Sequence, residues 1–140
     1  MSWLLLALLS AFFAALVAIF AKIGLEQFDA NTATAIRAVI MAIFLLMVIG
    51  LQGKFHDIKP ILANQKALTF IVLSGVAGAL SWLCYFAALK TGKVSQIVPI
   101  DRLSVVFALL LALILLKESV SLTAGIGAVL IVLGGILVAL

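Results

Sequence analysis

Five membrane-spanning α-helices in an all-α chain, with little outside them, is the fold class this sequence predicts. Hydrophobic residues fill 67% of its 140 positions and charged residues only 10%, and the mean hydropathy is +1.45. A soluble domain needs about a quarter of its residues charged to cover its surface, so this composition excludes one. The few charges also lie between long apolar runs, except for Arg37, Asp101 and Arg102. That is the arrangement of a polytopic membrane protein.

The first run, Trp3 to Ala21, carries no charge over 19 residues. At about 1.5 Å per helical residue it crosses a hydrocarbon layer of about 30 Å. No basic residue precedes it. A cleaved signal peptide normally has a positive leading region, so the segment is expected to stay as the first helix. The second helix is expected over 32–51, with Arg37 inside, and the third over 67–89, which is uncharged. The fourth, 94–116, contains Pro99, Asp101 and Arg102. Each charge costs roughly 2.5 to 3.5 kcal/mol at a helix centre. The apolar stretch from Leu103 to Leu116 offsets this at about 0.3 to 0.6 kcal/mol per large residue, so the run inserts. The fifth, 119–140, is again uncharged. Connections are short except Gln52 to Lys66, where Phe55, Ile58, Ile61 and Leu62 stand among Lys54, Lys59 and Lys66. This reads as an interfacial loop or short surface helix that Pro60 is suited to start. The whole chain, 1–140, then forms a single transmembrane domain.

Nine Lys and Arg against five Asp and Glu give a net charge of +4. The basic residues stand singly and form no stripe that follows a phosphate backbone, so a nucleic-acid partner is not expected. The lone Cys84 makes no intrachain disulfide. His56 lies in the long connection without Cys, His or acid neighbours in a ligating pattern, so it reads as a solvated residue and no metal is expected. No phosphate-binding glycine loop, zinc-protease helix or nucleophile elbow occurs, and no enzyme activity or cofactor is expected.

With five spans the loops alternate between two faces. Lys54, Lys59, Lys66 and Lys117 share one; Lys22, Lys90 and Lys93 share the other, joined by Arg37 and Arg102 if these snorkel. The positive-inside rule works through a bias, and four against three to five supplies none. Both orientations in one membrane are therefore expected.

Intramembrane charges are costly and mark pathways or partners. Asp101 lies about seven residues into its helix, roughly 10 Å deep, beyond the reach of its short side chain to the interface. Its alternatives are a substrate or proton site and a structural ion pair. Arg102 points about 100° away around the helix, so each needs its own partner. Arg37 enters the second helix from the same face to nearly the same depth; it either joins Asp101 and Arg102 in one polar layer or snorkels. Three ionised groups make that layer +1, which favours a substrate with a carboxylate or phosphate. Pro99 cannot donate to the Ser95 carbonyl, so it is either a hinge or the place where the helix starts late. Gln96, Ser81, Trp82 and Tyr85 are candidates to line a cavity. Small residues, Ser74, Gly78 and Ser81 in the third helix and Gly127 and Gly134 in the fifth, mark faces suited to close helix approach.

Several segments resemble the EamA-type repeat of the drug/metabolite transporter superfamily, in order and over nearly the whole length. They are Trp3, Ala35-Ile36-Arg37, Tyr85-Phe86-Ala87-Ala88-Leu89-Lys90, Leu116-Lys117-Glu118, and the closing helix with Gly125, Gly127 and Gly134-Gly135. Most members of that family are ten-helix exporters built from two inverted repeats, and this chain resembles one repeat. The resemblance implies a small-molecule exporter completed as an antiparallel homodimer, and the charge of the layer points to a polar metabolite with an anionic group, such as an amino acid, as its substrate. It also implies a bacterial or archaeal plasma membrane. The four-helix small multidrug resistance relatives assemble in this way, and likeness to their last helix implies Gly127 and Gly134 at the dimer contact, with packing inside the protomer as the alternative. Their first-helix glutamate has no counterpart between Leu5 and Ala18, and Asp101 and Arg102 stand where the family pattern has small or hydroxyl residues. Proton coupling, if present, falls to Asp101. A non-transporting subunit or heterodimer partner, and a multidrug or cation exporter, are the alternatives.

Overall fold

The computed structural model describes residues 3–140, which are helical almost throughout and contain no strand. Five stretches are long and apolar enough to cross a membrane: Trp3–Gly24, Ala30–Leu51, Gln65–Thr91, Val94–Leu116 and Leu122–Ala139. We number the helices α1 (Trp3–Gly24), α2 (Ala30–Leu51), α3 (Ile58–Ala63), α4 (Gln65–Thr91), α5 (Val94–Asp101), α6 (Ser104–Leu111) and α7 (Leu122–Ala139).

The caps explain where the helices start. Asp29 precedes α2 in extended conformation and accepts from the Thr32 backbone N–H at 2.8 Å and the Thr32 hydroxyl at 3.0 Å. This satisfies a donor that the first helical turn would leave open, so α2 begins two residues before the apolar run expected from Thr32. Asn64 Oδ1 accepts from the Ala67 N–H at 3.1 Å at the head of α4, and Ser121 Oγ accepts from the Ala124 N–H at 3.2 Å at the head of α7. The connection after α2 turns at Gly53, whose φ of 67° suits glycine. A 3₁₀ turn, Lys54–Asp57, then leads into α3, with Pro60 in its first turn. His56 is exposed there, its Nδ1 3.0 Å from the Gly53 carbonyl and its Nε2 3.2 Å from Asp57.

The fourth span is not one continuous α-helix. α5 ends at Asp101, α6 starts at Ser104, and a π-helical turn, Ala112–Leu116, closes on Lys117 with φ 55°. Pro99 accounts for the break. It lacks an N–H for the Ser95 carbonyl, and the chain beyond it tightens into three-residue bonds: Leu103 N–H to Ile100 O at 3.0 Å, Val105 to Arg102 at 3.1 Å and Val106 to Leu103 at 2.9 Å.

Few side chains are buried: Ala18, Leu25, Ala30, Phe86, Leu89 and Ala128 are the apolar ones. Most Leu, Ile, Val and Phe side chains point outward, the expected condition when the surrounding medium is lipid and burial of apolar area no longer drives association. Two compact units make up the fold, Met1–Lys22 with Thr91–Leu140 and Ile23–Lys90. In the first, α5 packs on α7. A Cβ on Gly135 would lie 3.1 Å from the Pro99 carbonyl oxygen, so glycine permits this approach. Gln96 Nε2 donates to the Ala139 carbonyl at 3.1 Å, and Lys22 Nζ to the Gly92 carbonyl at 2.8 Å. In the second, Lys90 Nζ donates to the Phe28 carbonyl at 2.8 Å, and the Thr34 hydroxyl to Ala30 O at 2.6 Å.

Candidate functional site

Arg37 stands two turns into α2 and reaches the aromatic end of α4. Its Cζ lies 3.6 Å from the Trp82 ring centroid and 5.1 Å from that of Phe86. A separation of 3.6 Å is the thickness of a stack, so the guanidinium lies over the indole with little lateral offset. Trp82 is fixed in turn: Phe86 is tilted against it at 5.3 Å and the Tyr85 ring meets it edge-on at 6.1 Å. The spacing of Trp82, Tyr85 and Phe86, three and four residues apart, places all three on one face of α4. Phe86 is almost fully buried and anchors the cluster.

The stack contributes about 0.5 kcal/mol where exposed and about 2 kcal/mol where desolvated. A cation within a span costs roughly 2.5 to 3.5 kcal/mol at the centre and less toward the ends. The aromatic faces thus offset much of the cost of Arg37 without neutralising it. Among the described residues no carboxylate or carbonyl accepts from its guanidinium, and Arg37 lines a groove of about 530 Å³ between α2 and α4. Asn31, Thr34 and Arg37 line one end, Trp82 one wall, and Met41 and Leu45 the far end. A second groove, of about 450 Å³, runs along the other flank of α2 past Asp29, Thr32 and Arg37. Asp29 is occupied as a helix cap: the Thr32 backbone and side-chain bonds, and more weakly Lys90, hold its carboxyl below the usual carboxylate range.

Asp101, Arg102, Gln96, Pro99, Gly127 and Gly134 fall in the other unit. Asp101 is the last residue of α5, half-buried, and Arg102 is exposed at the break beside it. Neither side chain has a hydrogen-bonding or ionic partner among the described residues. Pro99 stands two residues earlier with its carbonyl against Gly135. Gln96 is held by the end of α7. Of the residues expected along a cavity, Trp82 lines the groove of α2 and α4, Tyr85 supports it from behind, and Ser81 lies on an exposed part of α4. Gly127 and Gly134 have no atom within 4 Å of where a Cβ would stand and belong to a different stripe of α7 from Ala128 and Gly135, which are buried.

Four contributors are not evident from residue types alone. Phe86 supports the Arg37 stack, Asn31 and Thr34 make the polar end of the groove, and Gly135 admits the Pro99 carbonyl. The signal for Phe86 is its four-residue spacing from Trp82; that for Gly135 is its heptad spacing from Ala128, the same spacing that relates Gly134 to Gly127.

The EamA-like transporter family model matches residues 1–140. A Sinorhizobium protein named "Uncharacterized transporter in cobO 3'region" is 38% identical over 138 residues, covering 99% of this chain and 96% of its own. An uncharacterized protein of Methanocaldococcus jannaschii is 33% identical over 137 residues, covering 98% and 96%. No solved structure matches the chain.

Proposed function

The chain belongs to the EamA-like transporter family, an integral membrane protein of single-repeat size, and on that footing we propose that it exports a small metabolite bearing an anionic group. The observation that carries this reading is Arg37: a guanidinium within a span, stacked on Trp82 with Phe86 nearby, that lines a groove and has no protein acceptor among the described residues. A carboxylate or phosphate supplies the missing acceptor. Asp101, at the break in the fourth span, is the proposed substrate or proton site, and Arg102 beside it a further proposed substrate-binding residue. Broken spans at membrane depth are a recurring way of placing polar groups in transporters, and Pro99 is the proposed hinge.

The working unit in this reading is an antiparallel homodimer in a bacterial or archaeal plasma membrane, inserted in both orientations and alternating access between the two faces. Three features support it: the near-equal lysine distribution across the faces, relatives of matching length, and the stripe of Gly127 and Gly134 left open by the packing of α7 on α5. The test is efflux from proteoliposomes loaded with a pool of amino acids and organic acids. Asp101→Asn and Arg102→Gln are expected to reduce export of the transported solute by tenfold or more. Unchanged export by both variants would remove the site assignment.

A further inference from the structure

We infer that the groove of α2 and α4 selects an apolar-bodied monocarboxylate without an ammonium group, with Arg37 as the head-group receptor. This rests on the transport reading above and narrows its substrate class. Three observations lead to it.

The first is the orientation forced on Arg37. With Trp82 against one face of the guanidinium and Phe86 nearby, out-of-plane approach on that side is closed, and recognition falls to the N–H edge. An edge of parallel N–H donors matches a planar carboxylate with two bonds in one plane. The second is the gradient along the groove. Polar residues end at Arg37, and Ala38, Met41 and Leu45 follow on the same side of α2. From Arg37 to Leu45 is about 12 Å of helix at 1.5 Å per residue, enough for a phenyl ring on a short chain. Gly75 and Gly78 of α4 leave the opposite wall without bulk.

The third is the lack of an anion for a second head-group charge. The residues lining this groove include no Asp or Glu. Asp29 lines the neighbouring groove on the other flank of α2 and is already committed to Thr32. The Thr34 hydroxyl proton goes to Ala30 O. An amino-acid ammonium would leave water for a site offering it only the oxygens of Asn31 and Thr34. A cation would meet Arg37 itself. Simple carboxylates therefore outrank both zwitterions and amines.

The test uses the full chain in lipid nanodiscs. The protein has two tryptophans, and Trp3→Phe leaves Trp82 as the sole indole reporter, stacked on the residue in question. Titration with 3-phenylpropanoate is expected to change Trp82 emission at concentrations about 10- to 100-fold lower than 3-phenylpropanol, the span of a charge-assisted hydrogen bond. Phenylalanine should fall at least tenfold behind 3-phenylpropanoate, and phenylethylamine should not bind. Arg37→Lys keeps the charge and loses the planar edge, and a tenfold weakening is expected. The ligand series on the unaltered site stands even where an Arg37 variant fails to fold.

Equal binding of alcohol and carboxylate would mark the groove as a lipid-chain seat and overturn the inference. So would tighter binding of phenylalanine, or Trp82 emission that answers only to dilution of protein in lipid, the sign of a second copy in the groove. The two readings separate cleanly. Carboxylate binding without transport rejects the transporter reading alone, whereas export of another solute class with no carboxylate binding rejects this inference alone.

Discussion

Replacing Gly135 by alanine sets two effects of known size against each other. The new Cβ would stand 3.1 Å from the Pro99 carbonyl oxygen and 3.6 Å from its carbon, the first several tenths of an ångström inside ordinary contact at about 3.5 Å. Both groups are backbone, so neither moves without shifting a helix, and overpacking of this kind costs about 1 to 3 kcal/mol. Against it stands the conformational entropy that alanine saves in a helix interior, roughly 0.5 to 1 kcal/mol. The overpacking wins, and Gly135→Ala is expected to destabilise the protomer by about 1 kcal/mol. At Gly127 and Gly134 an added Cβ meets nothing within 4 Å, so only the favourable effect remains and both variants should gain roughly 0.5 to 1 kcal/mol. The difference between the sites is then about 2 kcal/mol. Unfolding in mixed micelles with sodium dodecyl sulfate, followed by circular dichroism and dilute enough to hold single protomers, reads it directly. Gly135→Ala stabilising as much as Gly127→Ala would refute the close approach of α7 to Pro99.

Other expectations follow from particular bonds. Gln96→Leu removes the bond to the Ala139 carbonyl and should cost about 1 kcal/mol in the same assay, with no change from Gln96→Glu at low pH, where a protonated carboxyl still donates. Pro99→Ala restores an N–H for Ser95 O and should raise stability while slowing export severalfold, as measured by efflux; faster export would remove the hinge role. The Asp29 cap carries a pH signature. Because its folded pKa lies below the unfolded value near 3.8, its stabilisation is fully present above that value and fades as pH falls through the lower folded pKa. Thermal unfolding between pH 5 and 3 should show that loss in the native chain and lack it in Asp29→Ala. Leucine at Gly127 and Gly134 should abolish crosslinked dimers while leaving the protomer folded.

The spans were legible because lipid imposes one rule on all of them, a long run without charge, and Arg37, Asp101 and Arg102 were legible because they break it. What the sequence does not reveal is how a single turn is closed. The start of α2 moves to Ala30 because Asp29 caps it, which apolar runs do not encode. The division of the fourth span follows from Pro99, but whether a proline bends a helix or breaks it depends on which carbonyls find new donors, here through three-residue bonds after Ile100. Arg37 alone reads equally as a snorkelling residue. Its stack on Trp82 emerges only when α2 and α4 lie side by side, since the two residues are far apart in the chain. The two small-residue stripes of α7, Gly127 with Gly134 and Ala128 with Gly135, have the same spacing in sequence and differ in what faces them.

Solute counterflow into proteoliposomes reads anion carriage through Arg37, with vesicles preloaded with unlabelled 3-phenylpropanoate and the labelled solute supplied outside. The native chain is expected to accumulate label, and Arg37→Gln, reconstituted at equal amount, to lose at least nine-tenths of it. Equal accumulation by the two would contradict an anion-carrying path through Arg37.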